Sequence, residues 1–181
     1  MIGAVFLLTL LGTFYSGSRR GIPLQLVYSA GFFLSFLFAQ KMYLSWGRKI
    51  ELIVPYLSIS PETKMVFFSQ KEAFDLDKPY YAAVAFLFFL LVGFLLTRLA
   101  GLLASPLRFV SIIPQFDWIV AGFLNVLIVY IWFFLCLKLL TLIPIDFIQD
   151  LFVSHQWLRN IVEKTPFFSN YIQQLWITNI I

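Results

Sequence analysis

The stretch from Trp118 to Leu137, WIVAGFLNVLIVYIWFFLCL, carries no charged side chain. A hydrocarbon core of roughly 30 Å takes about 20 apolar residues at about 1.5 Å of helical rise each, so this run reads as a helix that crosses a bilayer. Three more runs are also free of charge over a comparable length: Met1 to Ser18, Gly21 to Gln40 and Pro79 to Thr97. Together they predict an all-α polytopic membrane protein with four transmembrane helices, at about 1–18, 21–43, 79–104 and 118–143, and a C-terminal amphipathic helical segment over about 145–181.

Composition agrees. Hydrophobic residues make up 61% of the 181 positions and charged ones 12%, against roughly 45–50% and 25% in a soluble domain. The excess apolar surface has to face lipid, and the length suits one membrane domain spanning residues 1–181. The net charge of +4 is spread among the loops, which suits membrane-flanking anchors and argues against nucleic acid as a partner. The lipid bilayer is the expected partner, with a homo-oligomer or another membrane protein as further options. Cys136 is the single cysteine; it has no partner for a disulfide or a metal site and reads as a small packed hydrophobe. Met1 to Gly17 lacks basic residues before its apolar stretch, and Tyr15-Ser16-Gly17-Ser18 is a poor cleavage site, so this segment reads as a retained helix.

Ser16-Gly17-Ser18-Arg19-Arg20-Gly21-Ile22-Pro23 stops one helix and starts the next, with Pro23 suited to a first turn. Beyond Gln40, Trp46, Ile50, Ile53, Val54 and Leu57 share a helical face that Arg48, Lys49 and Glu51 avoid, which fits either a helix lying in the interface or a continued second helix. Residues 55–78, with Glu62, Lys64, Lys71, Glu72, Asp75, Asp77, Lys78 and Pro61, read as a solvated loop of little regular structure. In the third helix Gly93, Thr97, Gly101 and Ser105 recur every four residues along one stripe, and Gly31, Ser35 and Ala39 do the same in the second. In lipid such stripes permit close backbone approach, either between these two helices or in a homodimer.

Ser105-Pro106 breaks the third helix, and a connector leads to Asp117, where an acidic side chain complements the dipole of the fourth helix and caps its free amides. Pro144 closes that helix, and Lys138 near its end is expected to snorkel towards water. Phe147, Ile148, Leu151, Phe152, His155, Leu158 and Val162 recur at helical spacing, as expected of a surface-lying amphipathic helix. Pro166 breaks it, and Ser169 is placed to cap a last turn that sets Tyr171 and Trp176 at headgroup depth. The short connectors carry Arg19, Arg20, Arg98 and Arg108, an arrangement that favours their side as cytoplasmic with both termini outside.

There is no Gly-rich phosphate loop, no pair of histidines at metal spacing and no nucleophile elbow, so neither an enzymatic activity nor a cofactor is expected. His155 is the single histidine, and its sequence neighbour Ser154 points elsewhere on a helix. Asn125, about two turns into the fourth helix, reads as a hydrogen bonder across the bundle. A small channel or transporter subunit would need buried polar groups such as Asn125, Arg98 or Lys138. A membrane anchor for a separate enzyme is the remaining alternative.

This order of motifs resembles the colicin V production protein (CvpA) family of small bacterial membrane proteins. The resemblance rests on Gly17-Ser18-Arg19-Arg20-Gly21 leading into a second helix, on Asp117-Trp118-Ile119-Val120-Ala121-Gly122 opening the fourth, and on Ser154-His155-Gln156-Trp157-Leu158 followed by Pro166. Asn125 occupies the neighbourhood where the family often has another glycine. The resemblance implies a multi-pass protein of the bacterial cytoplasmic (inner) membrane, without catalysis, that supports toxin (bacteriocin) production or export, or cell-envelope homeostasis. It brings no catalytic, cofactor or metal residues. The positions it marks are Arg19, Arg20, Gly21, Asp117 and Gly122, beside Gly93, Gly101 and Asn125 from the packing pattern.

Overall fold

The structure is a computed structural model that describes residues 2–57 and 65–181. Its elements in chain order are α1 (Ile2–Ser18), α2 (Ile22–Ile50), α3 (Gln70–Ala73), α4 (Asp77–Leu103), a 3-10 turn (Ser105–Phe109), α5 (Asp117–Thr141), α6 (Asp146–Ser154), α7 (Gln156–Lys164), α8 (Phe168–Gln173) and a π-helical turn (Gln174–Thr178). The described residues contain no strand, and α2, α4 and α5 are long and apolar enough to cross a membrane, with α1 a shorter apolar helix. The protein is an all-α polytopic membrane protein. Leu8, Leu34, Leu95 and Phe123 each remain more than half exposed, an outward apolar surface that lipid accepts and water would penalise.

The chain groups into two compact units, one of Met1–Phe38 with Phe89–Phe133, the other of Ala39–Phe88 with Phe134–Ile181. In the first unit, α1 runs along α5 from Ala121 to Phe133. Phe6 stacks on Phe133 at 4.3 Å between ring centroids, and a Cβ on Gly17 would lie 2.6 Å from the Asn125 Cβ and 2.7 Å from the Ala121 carbonyl oxygen. Gly122 returns the contact, since its Cβ would meet the Phe14 ring and the Ser18 hydroxyl at 2.6 Å. The start of α2 meets the end of α4 in antiparallel register: Gly31 lies on Thr97, Gly93 on Ser35 and Gly101 on Tyr28. Backbones approach this closely because each contact sets a hydrogen atom where a side chain would otherwise stand. The stripe on α4 ends at Gly101, because the helix stops at Leu103 and Ser105 opens the 3-10 turn, where Pro106 lacks the amide that would carry the ladder onward.

The second unit is closed by the tail. Trp176 is fully buried, its ring 5.5 Å from that of Phe86, and Tyr43 donates its hydroxyl hydrogen to the Leu175 carbonyl at 3.0 Å. Phe152, Leu158, Val162 and Ile172 are buried as well, so these members of the apolar stripe pack on protein, while Phe147 at its start stays exposed. Trp176 is therefore not an interfacial anchor, although Tyr171 stays exposed. The segment up to Pro166 also divides into α6 and α7 at His155, whose non-helical ψ of 84° interrupts the ladder. Ser169 caps differently from the expectation: its hydroxyl serves the Val162 and Glu163 carbonyls at 2.6 and 2.8 Å, closing the end of α7 instead of opening α8.

Other boundaries shift for local reasons. The second helix runs on through Trp46 to Ile50, not to about 43, so the continued helix replaces the interfacial one; Gly47 lets its end lie against the backbone of Ala82. The helix starting at Asp77 contains Pro79 in its first turn, where a missing amide costs nothing. Part of the expected loop is ordered as α3, with Ser69 and Glu72 exchanging a capping box. Pro61, Glu62 and Lys64 of that loop lie outside the described residues, as does Met1. The end of α5 tightens into i to i+3 bonds at Leu142 and Ile143, and Tyr56 reaches the Leu142 carbonyl at 3.0 Å. Cys136 is exposed on α5, not packed inside.

Candidate functional site, a polar cluster in the first unit

The turn between α1 and α2 contains Gly21 at φ +75°, a conformation that a Cβ disfavours. A Cβ there would also lie 2.7 Å from Asp117 Oδ2. The same oxygen accepts a hydrogen bond from the Ile22 amide at 3.2 Å. Asp117 opens α5, yet the amide it satisfies is the first orphan donor of α2, so this carboxylate ties two helix N-termini together instead of capping its own helix alone. Asp117 Oδ1 is buried with no hydrogen-bond partner among the described residues.

One residue earlier the chain places Arg20 across the bundle. Its Nη1 donates to Gln25 Oε1 on α2 and to Asn125 Oδ1 on α5, both at 3.2 Å, and its Nη2 donates to Ser16 Oγ on α1, also at 3.2 Å. Asn125 uses both ends of its amide: Oδ1 also accepts from Gln25 Nε2 at 3.4 Å, and Nδ2 donates to the Thr13 carbonyl at 2.7 Å. Gln25 is fully buried and Asn125 nearly so. Three helices are thus joined by one guanidinium and two amides, and the low dielectric strengthens each bond while making any unpaired member costly. Burial, and then the neighbouring Arg98 guanidinium, pull the Arg20 pKa below its ordinary value. The group remains a cation at any physiological pH.

Arg98 reaches the same place from α4, over the rings of Tyr28 and Phe94 at 5.0 and 4.8 Å. Arg19 and Arg108 point outward and are exposed. Gly122 and Gly17 form the floor by which α1 approaches α5, and Gly93 and Gly101 the crossing that brings α4 to Tyr28. Sequence reasoning singled out Arg20, Asp117 and Asn125 but missed Gln25, Tyr28, Ser16 and Thr13. For Gln25 the available signal was an amide inside an uncharged run, since a polar group there needs a partner.

In the second unit Lys138 is buried at 5% exposure and donates to Gln173 Oε1 at 2.5 Å. It does not snorkel, because α8 lies over the helix face from which it would reach water. His155 sits at the junction of α6 and α7 with Nδ1 3.1 Å from the Leu151 carbonyl oxygen, a local contact at a helix end.

The colicin V production protein family model matches residues 2–166. The chain is 27% identical over 172 residues to the uncharacterized transmembrane protein YshB of Bacillus subtilis (strain 168), covering 95% of this chain and 94% of that one. No solved structure matches it. A match that runs from α1 through the end of α7, and so takes in both connectors and the Arg20–Asn125 cluster, places this chain in the colicin V production protein family.

Proposed function

We propose that the protein is a non-catalytic accessory of the bacterial cytoplasmic membrane that supports bacteriocin production or export, or the upkeep of the cell envelope. In this reading α1, α2, α4 and α5 cross the bilayer four times, with the arginine-bearing connectors in the cytoplasm. The observation that carries it is the use made of the buried polar groups in the first unit. Arg20, Gln25 and Asn125 spend their hydrogen bonds on one another and on α1, which supports a bundle built to hold its shape. Family membership points towards toxin production, and the exposed connectors around Arg19 and Arg108 offer a membrane-face surface to a secretion partner.

The test is a clean deletion strain carrying a defined bacteriocin operon, assayed for secreted toxin and for precursor retained in cells. Secretion is expected to fall while precursor persists, and the wild-type chain restores it. Normal secretion together with a normal envelope-stress response would overturn this reading.

A further inference from the structure

Arg20 and Arg98 approach the same aromatic ring, with their Cζ atoms 4.7 and 5.0 Å from the Tyr28 centroid. Every acceptor of Arg20 is neutral: Gln25, Asn125 and Ser16. Arg98 has ring contacts but no hydrogen-bond acceptor among the described residues. The one ion pair among the described residues joins Arg159 to Glu163 in the other unit. Two like charges are therefore held close together without a counter-ion, flanked by Phe32, Phe94 and Ile128. Such a pair is expensive in a membrane protein unless something anionic completes it.

A cavity of about 20 Å³ lies among these side chains, with Asn125 and Thr97 on its wall. That is room for one group of about the size of a water molecule, such as a single anionic oxygen. Arg20 belongs to the connector between α1 and α2, and Arg98 stands roughly 8 Å of helical rise short of the end of α4. With α1, α2, α4 and α5 crossing the bilayer as proposed above, both stand close enough to helix ends to reach the headgroup layer, about 5–8 Å thick on each face. The same end of α4 presents Leu99, Leu102 and Leu103 outward at 61%, 69% and 87% exposure, a surface for acyl chains beside the charged pair. These features favour a phosphate that arrives on a lipid over one free in solution.

We propose that Arg20 and Arg98 form a binding site for the phosphate of an anionic phospholipid headgroup, with one phosphate oxygen entering the cavity between the two guanidiniums. Arg98 supplies the unspent planar donors, and a guanidinium fork matches phosphate geometry. Arg20, already tied to α1, α2 and α5, supplies a fixed second charge. Tyr28 holds both groups in place through its ring face.

The test uses the full chain in nanodiscs of neutral phosphatidylcholine, into which phosphatidylglycerol is titrated, with retained lipid read by native mass spectrometry and thermal stability read in parallel. Arg98→Gln is expected to weaken phosphatidylglycerol retention about tenfold, the size of a charge-assisted hydrogen bond. It leaves the helix network intact, because Arg98 makes no hydrogen bond within it. Arg108→Gln, which removes an exposed arginine from the adjoining connector, is expected to leave retention unchanged. Unchanged retention in Arg98→Gln, or an equal loss in both variants, would overturn the site. A separate arm replaces the lipid with inorganic phosphate or chloride. Stabilisation by either salt that vanishes in Arg98→Gln, without selective phosphatidylglycerol retention, would overturn the lipid and give the site to a free anion.

Discussion

At Gly21 two demands meet in one residue: a positive φ, and a carboxylate oxygen where a side chain would begin. Gly21→Ala is expected to cost about 1–2 kcal/mol from backbone strain alone, with more from displacing Asp117. Asp117→Ala should lose about 1 kcal/mol, the usual worth of a helix cap. The double variant should lose less than the sum, because each change disrupts the same contact. Chemical unfolding of the purified protein in mixed micelles measures all three. Asn125→Leu removes the acceptor for Arg20 and Gln25 and the donor to Thr13. At about 0.6 kcal/mol for each such bond in a membrane protein, the expected loss is roughly 2 kcal/mol in the same assay. The polar residues that stand out in the sequence do so because a charge or amide in an apolar run needs a partner. Which partner it takes depends on how the helices lie, so the need of Gln25 for a partner is legible in its uncharged run, while its pairing with Arg20 and Asn125, and the part of Tyr28, emerge only in three dimensions.

Helices are where the sequence is easiest to read and their ends hardest. Uncharged length alone makes the long apolar helices legible, because solvent preference is a property of the whole run. The break at His155 is not legible, since the apolar spacing continues across it and only the backbone turns. The true length of α2 is equally ambiguous, because an apolar face that lies on a membrane and one that packs on protein have the same period. Small residues in α1 illustrate a contrast that composition hides. Gly12 has nothing within 4 Å of its missing Cβ, whereas Gly17 faces the Ala121 carbonyl oxygen and the Asn125 Cβ at 2.7 and 2.6 Å. Gly12→Ala is therefore expected to be neutral or to stabilise by up to about 1 kcal/mol through helix propensity. Gly17→Ala should force α1 away from α5 and lower the melting temperature. Opposite signs from one substitution in one helix, read by thermal melts, would separate packing from propensity.

At the scale of the molecule, the tail is part of the folded core of the second unit and not an appendage. Trp176 is fully buried against Phe86, so Trp176→Ala is expected to cost about 3–5 kcal/mol and to lower the amount of protein recovered from membranes. Lys138 belongs to the same enclosure, and snorkelling is precluded there because the tail returns over it. Cys136, by contrast, faces outward from α5. Facing lipid, its thiol is held in the unreactive protonated form, so in intact membranes it should resist a charged, water-soluble maleimide and become labelled once the protein is unfolded in detergent, as mass spectrometry would report.

The partners of Arg20 are far apart along the chain: Ser16 just before it, Gln25 just after it, and Asn125 about a hundred residues later. A ribosome adding about 5–20 residues per second needs several seconds to cover that distance. Throughout that interval the nascent hairpin of α1 and α2 has its arginine only partly satisfied and the Thr13 carbonyl still without the Asn125 amide. Assembly of this bundle is thus gated by the arrival of α5. A chain that stalls before then leaves Arg20 without its Asn125 acceptor and the Thr13 carbonyl without its donor.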